Sequence, residues 1–413
     1  MALTETLSQV NDALYDFIIP GLESVILNQS IVLDKLKKTS KDVSGRTIKF
    51  KYRLGGNAKA GWATERGTLP TAGARQFDEA TATLRFFYMP VDISGPELAM
   101  PKSGGVIDLA ADALEDTVLM GVHKMDNALL GDGSGRICQL TDLATYSGAT
   151  EVTTCLFDNG KGEQLLVGQN VRFDTDGTDY EVASVDAYNS TFTVSGDATT
   201  DATDEAWVYN GADYVSGFAK VLTGLEMHAA ISNNGVHSAY QSFDRTAAGT
   251  DFTKPYVNSN SGTDRALTSL LIRRHLQRIK ARGKMFPNFH LTNEDVLNSY
   301  ILLLESQAQK IDPMPDETGY KEKYKFVYAG KKAVIEISNK VKAGWWYTLN
   351  TNTIEIREMK KMGWDTTGSG GPWEKKFSTD AVWGRVKWYL NMICRNNTQQ
   401  GVIQDILENS IVA

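Results

Sequence analysis

Two strand patterns separated by a long polar segment constrain the fold of this chain most strongly. GRTIKFKYRL and ATATLRFFY each alternate apolar and polar residues, which is typical of strands with one solvated face. The residues that alternate in phase are Ile48, Phe50, Tyr52 and Leu54 in the first pattern and Ala82, Leu84, Phe86 and Tyr88 in the second. The segment between them far exceeds the roughly two to five residues of an ordinary hairpin turn. Since an isolated two-stranded ribbon is only marginally stable, we expect this one to lie against another surface.

The strongest helix pattern follows directly, in SGGVIDLAADALEDTVLMGVHKMDNALLGDGSG. Its apolar stripe consists of Ile107, Ala111, Leu114, Val118, Val122, Met125 and Leu129. Carboxylates crowd the first turns, as the helix dipole favours, and GDGSG predicts the end of the helix. From Gly105 to Leu130 this helix spans about 40 Å at about 1.5 Å per residue. A helix of that length indicates a flat, extended subunit.

The remaining segments differ in character. Residues 4–19 have apolar side chains at helical spacing, and a second short helical pattern ends in KLKKTSK. Because nothing adjacent in sequence offers this region a core, it predicts an arm that lies on a neighbouring molecule. The alternative is two small surface helices. Residues 150–212 contain short strands joined by DG-type and NS-type turns, which predicts a small all-β insertion, with a little barrel as one form it can take.

The second half of the chain mixes helices and strands. TDRALTSLLIRRHLQRIKARGK predicts a helix that begins at Asp264, with the apolar stripe Leu267, Leu270, Leu271 and Ile279. A further helix is capped near Thr292 or Asn293. YKFVYAGKKAVIEIS, GWWYTLN and TIEIREM are strand patterns, and VWGRVKWYLNMICRN predicts a long strand.

Composition excludes several classes of protein. The chain has 413 residues, enough for about two to four domains, and its net charge of −7 argues against gripping nucleic acid as the main task. The three cysteines, Cys138, Cys155 and Cys394, form no CxxC pair, which indicates a reduced, cytosol-made protein. No signal peptide and no apolar run of about 18 residues is present, so we expect no membrane span.

The sequence contains no pattern that predicts catalysis, a cofactor or a metal site. The five histidines form no HExxH or HxH pair, and His123 fits a residue late in the long helix. GDGSGR follows a helix, so it is a helix end and not a phosphate loop, and DTDGTDYE fits a hairpin turn better than a calcium loop. RRHLQRIKARGK favours a solvated helix face over a phosphate-binding one, with a subunit contact as the second interpretation.

The ordered set of segments resembles the major capsid protein of tailed phages, the Hong Kong 97-like fold family. VDISGPELAMPKSGGVIDLAADALEDTVLMGVHKMDNALLGDGSG resembles the family's spine helix, and WATERGTLPTAGARQFDEATATL its extended loop. YKFVYAGKKAVIEISNKVKAGWWYTLNTNTIEI and STDAVWGRVKWYLNMICRNNTQQGVI are similar to its later strands and C-terminal return. The resemblance covers most of the chain outside residues 150–212.

The resemblance implies an α+β capsid fold with an N-terminal arm, an extended β-hairpin loop, a spine helix, peripheral and axial domains, and here an all-β insertion. We expect the following divisions: arm 1–43, extended loop 44–91, peripheral domain with spine helix 92–149, insertion 150–212, mostly axial α/β domain 213–350, return strands of the peripheral domain 351–395, and C-terminal segment 396–413. Because the arm begins almost at Met1, the sequence favours a separate scaffold over a long cleaved leader.

The implied function is a shell subunit of a double-stranded DNA phage head, present as hexamers and pentamers, assembled in the host cytoplasm and located in the virion. The implied partners are copies of the chain, a scaffold, a portal and decoration proteins, with DNA enclosed but not bound by sequence. The residues expected to contact neighbouring subunits are Lys59, Trp62, Glu65, Arg66, Leu69, Arg75 and Phe77 in the loop and Leu7, Leu14 and Phe17 in the arm. Some members of the family cross-link a loop lysine; Lys59 is a conceivable donor, but no cross-link is predicted.

Two other functions remain open at this point. A bacterial nanocompartment shell of the encapsulin type would have the same fold, and genome neighbours would distinguish it. A surface-binding or adhesin-like protein would owe its activity to the β-rich block at 150–212 and would stay monomeric. An enzyme is the least favoured reading, because no set of residues converges on a chemistry.

Overall fold

The computed structural model describes residues 30–55, 61–69, 71, 76–95, 109–157, 164–173, 178–186, 189–211, 220–230, 239–306, 325–328, 330–365, 373–375 and 379–408. They form a mixed α+β fold with four sheets. The helices are α1 (Ile31–Lys35), α2 (Leu109–Leu130), α3 (Leu225–Ala229), α4 (Ser269–Gly283) and α5 (Glu294–Ser306), with single 3-10 turns at Asp251–Thr253 and Asn397–Gln399.

A five-stranded central sheet is built on the longest of the described strands. Its members are β1 (Lys37–Thr39), β5 (Arg85–Ser94), β18 (Ile354–Trp364), β19 (Trp373–Lys375) and β20 (Ala381–Cys394). Strand β20 pairs with β18 and β19 on one edge and with β5 on the other, all antiparallel, while β1 pairs in parallel with β18. The prediction of a long strand in VWGRVKWYLNMICRN is confirmed.

Helix α2 covers one face of the central sheet, where it forms the largest core. Val122, Met125 and Leu129 of the predicted apolar stripe are buried there, against Met89 and Val91 of β5. The helix ends at Leu130, before GDGSG, and Gly133 and Gly135 of that motif adopt positive φ angles of 81° and 85°. The predicted end of the helix is therefore confirmed, while the first predicted residues, 105–108, lie outside the described part of the chain.

The segment just before the hairpin belongs to the same core. Val32, Leu33 and Leu36 are buried in it, and the side chain of Ser30 caps α1 by accepting a hydrogen bond from Leu33 N at 3.3 Å. Ser30 also bonds Asp126 of α2. The expectation that no core is available to this segment is wrong from Ser30 onward, because strands that come far later in sequence supply it; residues 1–29 lie outside the described part.

A three-stranded sheet forms the hairpin. Its strands are β2 (Val43–Ser44), β3 (Thr47–Gly55) and β4 (Gln76–Thr83), all antiparallel. The sequence predicted one strand for the second pattern, but the structure divides it at Leu84. There β4 ends its pairing with β3, and β5 begins its pairing with β20. As a result Phe86 and Tyr88, predicted in phase with Leu84, lie on the exposed face of the central sheet.

A seven-stranded sheet forms a separate β unit. Its strands are β6 (Arg136–Gln139), β7 (Thr145–Ser147), β8 (Val152–Leu156), β9 (Asn170–Phe173), β10 (Tyr180–Asp186), β11 (Thr191–Ser195) and β12 (Trp207–Asn210), in the order β6-β12-β9-β10-β11-β8-β7. Leu140, just after β6, forms a bridge with Phe157, just after β8, so the sheet curls back on itself around its own apolar core. Two of its strands, β6 and β7, precede residue 150.

A six-stranded sheet carries helices α4 and α5. Its strands are β13 (Tyr256–Asn258), β14 (Phe289–Thr292), β15 (Lys325–Tyr328), β16 (Lys331–Ile337), β17 (Trp346–Leu349) and β21 (Gly401–Ile403), in the order β13-β21-β17-β14-β16-β15. Helix α5 is capped by Asn293, whose Oδ1 accepts from Val296 N at 3.0 Å, as predicted.

Helix α4 departs from its prediction. Its cap is Thr268, so it begins after Asp264, because Arg265 pairs with the C-terminal segment instead: Arg265 N donates to Asp405 O at 2.8 Å. The buried stripe is Ile272, His275, Leu276 and Ile279, whereas Leu270 is exposed. The local sequence cannot indicate that the distant C-terminal segment pairs with Arg265 in place of a helical turn.

Candidate inter-subunit surface

The hairpin has a buried root. Ile48, Phe50 and Tyr52 of β3 face Phe243 and Ile393 in a compact apolar cluster, together with Ala80 and Leu84. The ring of Tyr52 packs 5.7 Å from that of Phe243 and 5.4 Å from that of Phe252, measured between centroids. The surface that the sequence requires for this ribbon is therefore supplied at the root by the same chain.

The distal loop of the hairpin has the opposite character. All described residues of 61–69 are exposed, and Trp62 and Leu69 have relative exposures of 105% and 77%. Glu65 and Arg66 lie in a turn closed by a hydrogen bond from Gly67 N to Thr64 O at 2.9 Å. A fully exposed tryptophan and a second large exposed apolar side chain in one loop are typical of a surface that binds another protein.

Phe77 on β4 is a further exposed apolar residue of the hairpin. Its side chain is 52% exposed and lies on the outer face of the ribbon, the face that also carries Lys49 and Glu79. These two charged residues form an ion pair at 3.2 Å between Nζ and Oε1. Of the contact residues predicted from sequence, Trp62, Glu65, Arg66, Leu69 and Phe77 are exposed; Lys59, Arg75, Leu7, Leu14 and Phe17 fall outside the described residues.

A second exposed apolar surface, which sequence reasoning missed, lies on the central sheet. Phe86 and Tyr88 of β5 and Tyr389 of β20 form an aromatic cluster on the face away from α2, with centroid distances of 4.9 Å for Phe86–Tyr389 and 6.0 Å for Tyr88–Tyr389. Lys387 stands opposite Tyr88 in the sheet. The alternation of RFFY carries the signal, but only a correct strand boundary at Leu84 assigns these rings to the exposed face.

The basic residues of α4 lie on its exposed side, with the exception of His275. Arg273, Arg274 and Arg278 are exposed, but His275 is fully buried and its Nε2 lies 2.8 Å from Thr348 Oγ1. Arg282 is used within the chain, since its guanidinium donates to the carbonyls of Asp251, Lys254 and Pro255 at 3.1–3.2 Å. His275 therefore does not belong to the basic face, which corrects its inclusion there in the sequence analysis.

Burial shifts the pKa values of the histidines and cysteines in the interior. Burial lowers the pKa of His228 and His275 to about 3 and that of His290 to about 4, so all three are neutral. Burial raises the pKa of the Cys155 and Cys394 thiols to about 12, which makes both poor nucleophiles. His123, half-buried on α2, contacts Gln164 O at 3.1 Å, and burial lowers its pKa.

One small cavity lies in the described part of the interior. A cavity between α2, β6 and the segment 340–342 measures about 10 Å³, about the space of one water molecule. Within the part of the chain that the structure describes, no group of three or more His, Cys, Asp or Glu side chains is arranged to hold a metal ion. Across those same residues, no helix combines the length and hydropathy needed to cross a membrane.

The fold is shared with a solved phage capsid. A chain of the cyanophage A-1(L) capsid asymmetric unit superposes with a TM-score of 0.54 at 13% sequence identity, covering 91% of this chain and 93% of that one. A chain of a GTA particle capsid (TM-score 0.48, 10% identity, 92% and 90% covered) and one of the SrpI encapsulin complex from Synechococcus elongatus (0.44, 8% identity, 92% and 88% covered) are more distant. No protein-family model and no curated protein matches the sequence. The first superposition shows that this chain has the capsid fold.

Proposed function

We propose that this chain is the major capsid protein of a tailed double-stranded DNA phage, of the Hong Kong 97-like type, and that many copies close into an icosahedral head shell. The observation that carries the proposal is the hairpin, whose root is buried in its own subunit while its distal loop presents Trp62 and Leu69 to solvent. Side chains of this kind gain their buried area when a second molecule covers them.

The contacts between copies follow from this arrangement. Trp62, Leu69 and Phe77 anchor the loop on a neighbouring subunit, with Glu65 and Arg66 as polar contacts around them. The aromatic cluster of Phe86, Tyr88 and Tyr389 is the receiving surface that suits them best, since it is apolar, exposed at Phe86 and Tyr88, and carried by two paired strands of the central sheet. Many modest contacts repeated around a closed shell give a large total stability.

Further proposals concern the partners and the location. A separate scaffold directs assembly in the host cytoplasm, a portal occupies one vertex, and decoration proteins bind outside. The acidic balance of the chain, net −7, suits a container that encloses DNA without gripping it. The same acidity disfavours tight binding of isolated subunits to DNA at physiological salt, which a filter-binding measurement checks.

Expression of the chain followed by electron microscopy and sedimentation tests the function. We expect closed shells, or shells on co-expression with the scaffold from the same genome. A chain that stays monomeric at all concentrations with and without scaffold contradicts the proposal. Shells whose native content is an enzyme and not DNA indicate the encapsulin alternative.

A further inference from the structure

A cluster of buried polar side chains lies where the hairpin joins the body of the subunit. We define the root cluster as Tyr52, His228, Tyr240, Gln241 and Asn397, all of which are buried. Tyr52 Oη donates to Asn397 Oδ1 at 2.9 Å, and Asn397 Nδ2 donates to His228 O at 2.8 Å and to Tyr240 Oη at 2.9 Å. His228 Nδ1 also bonds Tyr240 Oη. The cluster therefore ties β3 to the segment that follows β20.

Gln241 links this cluster to the edge of the central sheet. Its amide nitrogen donates to Cys394 O at 3.2 Å and to Tyr52 Oη at 2.7 Å, and its amide oxygen accepts from Cys394 N at 3.0 Å. This orientation of the amide is assigned because it satisfies both backbone groups of Cys394. Strand β5 pairs with β20 only as far as Leu390, so the Gln241 side chain occupies the sheet edge that β5 has left.

The backbone at Gln241 is held in a conformation that its side chain disfavours. Gln241 and Ser242 have φ angles of 50° and 72° and form the centre of a two-residue turn, closed by two 2.8 Å backbone bonds between Tyr240 and Phe243. Turns of this kind favour glycine or asparagine, and a left-handed conformation costs other residues roughly 1–2 kcal/mol each. A turn that only reversed the chain would be more stable with glycine at both positions.

The strained turn also contacts the second strand of the hairpin. Thr81 N of β4 donates to Gln241 O at 3.3 Å and lies 3.2 Å from Ser242 Oγ. The backbone of Gln241 thus fixes β4 while its side chain fixes Tyr52 of β3. Strain of this kind persists where the surrounding structure requires it, and such sites are commonly functional.

We propose that Tyr52 and Gln241 are positioning residues that set the direction in which the hairpin leaves the subunit. They hold β3 and β4 against the edge of β20 from two sides, so the loop at 61–69 is presented at one fixed angle. A closed shell requires every copy to present its loop at the angle that its neighbour accepts. The consequence for assembly rests on the proposed function, whereas the fixed direction is a property of the single chain.

A distance measurement on the unassembled chain tests the fixed direction. Spin labels are attached to cysteines introduced at Glu79 on β4 and at Lys361 on β18, both exposed, while the native cysteines are buried. The variants are Gln241→Gly and Tyr52→Phe, and the matched control is Ser261→Gly, which relieves the same kind of left-handed backbone strain (φ 61°) at an exposed position outside the root cluster and its turn. We expect one sharp distance for the unsubstituted chain and the control, and a shifted or split distribution for the other two.

Assembly provides the second readout. Per folded chain, we expect about tenfold fewer closed shells for Gln241→Gly than for Ser261→Gly, the change that corresponds to about 1.4 kcal/mol. Unchanged distance distributions in both Gln241→Gly and Tyr52→Phe overturn the inference, even when the unsubstituted chain forms shells. Failure of the unsubstituted chain to form shells overturns the proposed function, and the distances then still decide whether the two residues position the hairpin.

Discussion

The two ends of the hairpin, the root formed by β3 and β4 and the distal loop at 61–69, differ in what covers them. At the root, Phe50 and Tyr52 are buried against Phe243 of the same chain. At the loop, Trp62 and Leu69 have no such cover among the described residues. A ribbon can therefore be stabilised at one end by its own subunit and still carry exposed apolar side chains at the other. That surface is the basis for expecting a second copy.

We expect acid to produce the largest change in the free energy of unfolding, because it acts on histidines buried in the root cluster and in the six-stranded sheet with its helices. His228, His275 and His290 have folded-state pKa values lowered to about 3, 3 and 4, below the unfolded value of about 6.5. Because the unfolded chain then binds more protons, stability is full above about pH 6.5 and falls as pH drops toward 4, by about 1.4 kcal/mol per histidine per pH unit. Urea unfolding at a series of pH values measures this slope.

The control for the acid prediction is the substitution His275→Gln. It should reduce the slope of the free energy of unfolding against pH by the contribution of one of the three histidines. A stability that stays constant between pH 6.5 and pH 4.5 contradicts the assignment of neutral buried histidines. The described loop residues 61–69 contain no histidine, so contacts of the loop should not follow the same titration.

The substitution Phe50→Ala should lower the free energy of unfolding by about 3–5 kcal/mol, because it leaves a cavity in the apolar cluster at the root of the hairpin. The matched change on the exposed face of the same ribbon, Phe77→Ala, should alter the free energy of unfolding by less than about 0.5 kcal/mol. Chemical denaturation of the two purified variants compares them. Equal losses in both would show that the two faces of the ribbon do not differ in burial.

The substitution Trp62→Ala should act on assembly and not on folding. Removing a central tryptophan from an interface costs about 2 kcal/mol or more per copy, so the yield of shells should fall more than about tenfold. The unfolding midpoint of the subunit should stay unchanged, since Trp62 is fully exposed in the chain. Val167→Ala, an exposed apolar residue of the β unit, is the matched control and should assemble normally.

The smallest effect is expected for Lys49→Met on the outer face of the root. The ion pair with Glu79 spans 3.2 Å, but both side chains are more than half exposed, at 57% and 55%. Exposed pairs of this kind contribute about 0.2–1 kcal/mol. A change in unfolding free energy well above that range would indicate that solvent does not reach this face in the isolated chain.

Local patterns in the sequence predicted the strands β3 and β20, the end of α2 and the cap of α5, because alternation, glycine and asparagine act over a few residues. The division of the second strand pattern at Leu84 depends on pairing with β20, about three hundred residues later in the chain. The root cluster could not be predicted either, since Tyr52 and Asn397 are 345 residues apart. For the loop, the sequence identified Trp62 and Leu69, and the structure adds that they are exposed.

Oxidative footprinting of Trp62, read by mass spectrometry in dilute subunits and in assembled particles, tests the central claim most directly. The account predicts rapid oxidation of Trp62 in the subunit and strong protection in the particle, while the buried Trp346 is protected in both. Equal oxidation of Trp62 before and after assembly, or protection already present in the single chain, would contradict it.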